Sequence, residues 1–197
     1  MPSKYCLSMS GSSVRRAETV ETANLYLELG DWSEVRKRVI EDNVYQLNAE
    51  SSRKRVSGEL IKRLRTLSDA ELRFLVDSYG DDQSAMLWVS VCRTYEFVSG
   101  LSASVIRDRY ASGIPAYTDG AYESFFDQEA ELHPELMALT VEGRKKMRNQ
   151  VKRMLVECGL VAEDGTITPI HPTAAFARTI DAGHQDDLDL FPGVTFR

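Results

Sequence analysis

The sequence predicts an all-α, compact globular fold of many helices, and three observations carry that prediction. Apolar residues recur every three or four positions through most of the 197 residues. Ser, Thr or Asp stands ahead of several of these stripes and Gly behind others, the punctuation of helix starts and stops. Strand-like signals are confined to two short runs around one Asp-Gly pair, at Asp164-Gly165.

Taken in order, residues 1–17 are Ser-rich and aperiodic, which predicts an extended lead-in segment. A first helix begins near Thr19, with Ala23, Tyr26, Leu27 and Leu29 as its stripe and Gly30 as its stop. Asp31, with Glu34 three places on, caps a second helix bearing Trp32, Val35, Val39 and Ile40 and fading near Asn43. Asn48 is the expected cap of a third helix, whose Val56, Leu60, Leu64 and Leu67 fall within about 80° on a helical wheel. Ser68 and Glu71 form a capping box for a fourth helix, expected to stop at Gly80.

From Ser84 to Val98, apolar residues including Trp88 cover most of the helix circumference, so this segment is expected to be the central buried helix. A helix over 102–112 then stops at Gly113. Thr118-Asp119 opens an aromatic-rich helix, and Pro134 starts a short helical turn after His133. Thr140 caps the last long helix, which points Met147, Val151, Met154 and Leu155 inward and ends at Cys158-Gly159. The Asp-Gly signal beyond it would make a small β-hairpin wing. The acidic stretch from Asp181 to Asp189 is expected to be loosely attached or to serve as an interaction tail. The expected organisation is a lead-in at 1–17, a helical subdomain with a helix-turn-helix at 18–80, and central helices at 81–117. A second helix-turn-helix-like unit with its wing follows at 118–172, and the acidic tail at 173–197.

Composition excludes several classes. Hydrophobic residues at 43% and charged residues at 27% are those of a folded globular chain. The longest run without a charged side chain is the 13 residues Gly165–Ala177, too short for a spanning helix, so no membrane partner is expected. The opening residues do not read as a secretory signal and the three cysteines are far apart, so a cytoplasmic address with reduced thiols is expected, nucleoid association included. His133, His171 and His184 lack metal-ligand spacing, and no Gly-rich phosphate loop occurs. The sequence therefore suggests no catalytic residues, no metal and no cofactor. A nuclease or other hydrolase would need a carboxylate or histidine constellation that the sequence does not advertise.

Charge, in contrast, is concentrated. The net charge is −6, yet Arg36–Arg65 holds nine Lys/Arg against four Asp/Glu, and Arg144–Arg153 holds six basic residues and no acid. In the third helix Ser51, Lys54, Arg55, Gly58, Lys62 and Arg65 share an arc of about 100° opposite the apolar stripe, with Ser52 and Arg53 in the first turn. In the last long helix Lys145, Lys146, Asn149, Lys152 and Arg153 share about 120°, with Arg144 and Arg148 in the same run. A helix, a connection and a basic second helix is the plan of a helix-turn-helix reader, although the connection from Asn43 to Asn48 is longer than usual. Gly58 aside, these residues are the fourteen candidate contacts to double-stranded DNA. The rival reading is a protein-interaction adaptor whose basic faces dock acidic partner surfaces.

Glu21–Trp32, Val39–Asn43, Ser51–Arg55, Ile106–Tyr110, Phe125-Phe126, His133–Leu136 and Arg144–Lys146, in that order and spacing, resemble the BrxA family of the bacteriophage exclusion (BREX) defence systems. The resemblance covers roughly residues 10–162 and does not extend past Ala177. It implies a mostly helical, double-stranded DNA-binding protein without catalytic residues. It also implies a phage-defence complex whose other components include an adenine methyltransferase, an ATPase and a phosphatase-like protein.

Overall fold

A computed structural model describes residues 5–7 and 13–194. Among them the architecture is all-α, with eleven α-helices and no strand. The helices are α1 (Arg16–Leu29), α2 (Trp32–Glu41), α3 (Glu50–Leu64), α4 (Asp69–Asp77), α5 (Gly80–Thr94), α6 (Glu96–Leu101), α7 (Asp108–Ala111), α8 (Asp119–Leu132), α9 (Pro134–Met137), α10 (Val141–Glu157) and α11 (Ala174–Thr179). A π-helical turn at Ser102–Arg107 joins α6 to α7, and a 3-10 segment at Ala182–Leu190 follows α11.

Four of the expected caps hold helix starts. The Asp31 carboxylate accepts from the amides of Ser33 and Glu34, Thr118 from Ala121, and Thr140 from Gly143. Ser68 and Glu71 form the full reciprocal capping box. Asn48 is not a cap, because α3 starts at Glu50 behind Ala49 without a side-chain bond. Asn43 organises the connection instead. It adopts a left-handed conformation (φ 51°), which asparagine tolerates, and its side chain accepts from Leu47 N at 2.9 Å. Gly80 does not stop α4, which ends at Asp77; it opens α5 at φ 59°, where a residue with a Cβ would be strained.

Helix α5 is the buried centre, with every residue from Ser84 to Cys92 inaccessible and Trp88 donating from Nε1 to Ser102 Oγ at 2.9 Å. The greasy segment is not one helix to Val98. It breaks at Tyr95 (φ −128°, ψ 94°), which turns the Tyr95 ring under Lys62 and its hydroxyl onto Glu59. The main core gathers α1, α4–α6, α8, α10, α11 and the chain after them around α5. A smaller core, Leu25, Val35, Val39, Tyr45, Val56, Leu60 and Ile61, joins α1, α2 and α3.

Two peripheral expectations change. The hairpin after α10 is reduced to isolated bridges, Val161 with Ile167 and Thr166 with Ala116. Leu160, Val161 and Ile167 are buried, so the turn folds onto residues 115–117, where Tyr117 N donates to Gly165 O at 2.8 Å. The acidic stretch is packed, not loose. Asp187 meets Arg93 at 2.7 Å, Asp189 meets Arg107 at 3.3 Å, and Leu190 and Phe191 are buried. Asp187 finds an inward cation, Asp189 pairs at the surface, and the apolar Leu190 and Phe191 anchor the segment by burial. No helix among the described residues is long and apolar enough to cross a membrane.

Candidate nucleic-acid interface

On α3 the cationic arc splits into outward and inward members. Ser51, Lys54, Arg55 and Arg65 are exposed. Lys54 is tied to Glu50 at 2.6 Å, an exposed pair one turn apart that holds the Glu50 carboxyl below the usual range. Exposed pairs of this kind are weak and screened by solvent, so the ammonium remains available to a stronger anion. Arg53 is half-buried and donates to Ile40 O at 3.0 Å, closing the end of α2. Ser52 is half-buried beside it. Lys62 leans inward, 3.2 Å from Glu59 and 4.6 Å above the Tyr95 ring. Gly58 has open space where a Cβ would stand, so this part of the face is unobstructed.

On α10 the division is sharper. Arg144 binds Glu123 and Asp127 and lies 4.0 Å above the Phe126 ring, while Arg148 reaches Glu123 at 2.9 Å and Asp119 at 3.2 Å. The acids on α8 are spaced by four, the two arginines on α10 are spaced by four, and the helices run antiparallel. The result is a ladder that fastens α10 to α8. Lys152 donates to Glu163 O at 3.2 Å, holding the turn after the helix. Lys145, Lys146, Asn149 and Arg153 remain exposed and line one shallow depression with Glu142 and Gln150.

The last two were absent from the sequence-based set. Gln150 lies one turn on from Lys146, and Glu142 falls in the middle of the arc, so helical periodicity extended by one turn would have included both. The face therefore combines three cations, two amides and one carboxylate, and amides and guanidinium are the groups that read base edges. The C-terminal ends of the two basic helices also meet. Arg63 on α3, buried against Glu59, donates to Ser13 O at 2.8 Å, and the Ser13 hydroxyl donates to Glu157 at the end of α10 at 2.7 Å. The buried thiols are poor candidates for chemistry, since burial pushes Cys158 up to about 12 and Cys92 well above its ordinary value.

The model of the BrxA family matches residues 3–183. The chain belongs to the BrxA family. Two relatives named "BREX protein BrxA" match it. One, from Bacillus cereus (strain H3081.97), is 24% identical over 128 residues, which is 64% of this chain and 63% of that relative. The other, from Escherichia coli O9:H4 (strain HS), is 21% identical over 151 residues, 77% of this chain and 71% of that one. A crystal structure of an uncharacterized protein from Magnetospirillum magneticum shares the fold, with a TM-score of 0.81 and 19% identity over 94% of this chain and 96% of that one. The BrxA match takes in both basic helices and ends within the 3-10 segment, so the buried Leu190 and Phe191 lie beyond it.

Proposed function

We propose that this BrxA-family chain is a non-enzymatic component of a bacterial BREX phage-defence system, and that it binds double-stranded DNA through the outward cations of α10 and α3. The observation that carries the reading is the face of α10. After Arg144 and Arg148 are consumed by α8, Lys145, Lys146, Asn149, Gln150 and Arg153 still look outward together from a protein of net charge −6. An acidic protein that keeps cations grouped on one helix face matches the electrostatic footprint of a phosphate-binding surface. Lys54, Arg55 and Arg65 on α3 supply further backbone contacts, and other BREX components are the expected protein partners.

The test is a mobility-shift titration on two unrelated duplexes at two salt concentrations. The proposal expects binding to both duplexes that weakens steeply with salt, and a common loss in Lys145→Ala/Arg153→Ala. Retained DNA affinity in that variant removes the reading. If charge reversal on these faces instead abolishes binding to another BREX component while DNA does not compete, the faces dock acidic protein surfaces.

A further inference from the structure

Where α8, α9 and the start of α10 converge, a groove of about 490 Å³ opens on the side of α10 facing α8. Its floor is Phe126 and Leu136, already buried, and Met137 on its wall is 71% exposed. Six large hydrophobic side chains are exposed among the described residues, and three of them, Leu132, Met137 and Val141, fall within residues 132–141, with Met137 lining the groove itself. Scattered exposed apolar residues are ordinary, whereas a cluster beside a concave apolar floor marks a contact surface.

The electrostatics of the rim select the occupant. Asp127 and Glu131 stand exposed on the α8 wall, and Glu131 makes no ion pair among the described residues. The cation at the groove, Arg144, is already spent on Glu123 and Asp127. An apolar floor under a carboxylate rim repels phosphates and welcomes apolar anchors flanked by ammonium or guanidinium groups. A second copy of this chain supplies that combination poorly, because its exposed cationic arc at Lys145, Lys146, Asn149 and Arg153 has only Val141, at the first turn of the helix, as an exposed large apolar neighbour. We infer that this groove docks a basic amphipathic segment of another protein, its apolar residues on Phe126, Leu136 and Met137 and its cations against Asp127 and Glu131. The surface differs in place and in sign from the DNA-binding face, so the two proposals stand or fall separately.

The probe is a fluorescein-labelled synthetic peptide of about 15 residues, with leucines on one helical face and lysines on the other. Two comparators carry serine for leucine or glutamate for lysine. Anisotropy titration against the full chain should show the leucine/lysine peptide binding at least about tenfold more tightly than either comparator. Met137→Glu and Glu131→Lys should each weaken it about tenfold. Both positions are exposed, so the helical spectrum should be unchanged, and Met137→Glu should leave DNA affinity as in the parent. Absence of binding, or binding indifferent to both substitutions, overturns the inference. So does sedimentation showing a dimer of the free chain that Met137→Glu dissociates, since a second copy would then fill the groove.

Discussion

Replacing Arg93 with methionine should be among the most damaging single changes available in this chain. Arg93 is 7% exposed, and its guanidinium bonds Glu71 at 2.7 and 2.9 Å, Asp187 at 2.7 Å and Thr66 O at 2.7 Å. Glu71, 0% exposed, also accepts from the amides of Ser68 and Asp181. One side chain thus joins α4, α5 and the chain after α11. Removing it leaves a buried carboxylate without its counter-charge, a loss of about 3–5 kcal/mol against a typical total stability of about 5–15 kcal/mol. At about 2–4 °C per kcal/mol for a chain of this length, Tm should fall by roughly 10 °C. Urea denaturation followed by circular dichroism measures the loss, and limited proteolysis after residue 181 should speed up in step. The double variant Arg93→Met/Glu71→Leu should recover part of the stability, because it removes the more deeply buried of the two stranded carboxylates and leaves only Asp187 without its partner. An Arg93→Met chain within about 1 kcal/mol of the parent would refute the assignment of this network as the clasp that holds the acidic segment.

Three further outcomes follow from individual side chains. Burial pushes the Glu71 carboxyl up, but the bonds from Arg93, Ser68 N and Asp181 N outweigh it and hold it below the usual range. Its stabilising contribution is therefore present above its unfolded value and lost as pH falls through the depressed folded one. Asp187, pushed up by burial despite Arg93, acts in the opposite sense and offsets part of that loss. With the Glu71 contribution the larger, urea midpoints measured between pH 3 and 6 should drop on acidification in the parent and drop less in Glu71→Gln. Gly58→Ala should raise stability by about 0.5–1 kcal/mol, since a Cβ there meets nothing within 4 Å, yet lower DNA affinity if the bare backbone lies against a duplex. Glu142→Gln removes the one carboxylate from the α10 face, so its duplex affinity in a fluorescence titration should rise severalfold.

Much of this architecture is legible in the sequence because its causes are local. Capping residues and apolar periodicity mark most helix starts, and the uninterrupted apolar circumference identifies α5. The misreadings come from tertiary context. Tyr95 breaks a segment whose pattern reads as continuous, because its hydroxyl goes to Glu59, thirty-six residues earlier in the chain. The acids of 181–189 look solvated in sequence, but Asp187 and Asp189 face arginines at 93 and 107 that no local pattern connects to them. In the candidate interface the division of labour was partly readable. With Met147 at the origin of a helical wheel, Arg144 and Arg148 fall at about 60° and 100°, beside Val151 and Leu155, where a neighbouring helix must lie. The inward lean of Lys62 had no such signal, since it depends on the placement of Tyr95 beneath it.

The salt dependence of duplex affinity in matched variants tests the central claim most directly. If Lys54, Arg55, Arg65, Lys145, Lys146 and Arg153 all reach phosphates, the slope of log K against log salt should be about −5, from about 0.9 per contact. Lys145→Ala/Arg153→Ala and Lys54→Ala/Arg55→Ala should each flatten it by roughly one to two units. Arg144→Ala/Arg148→Ala, which loosens α10 from α8, should lower stability by about 1–2 kcal/mol and leave the slope near the parent value. Slopes that do not change in the first two variants, or that change most in the third, would contradict the assignment of DNA binding to these outward faces.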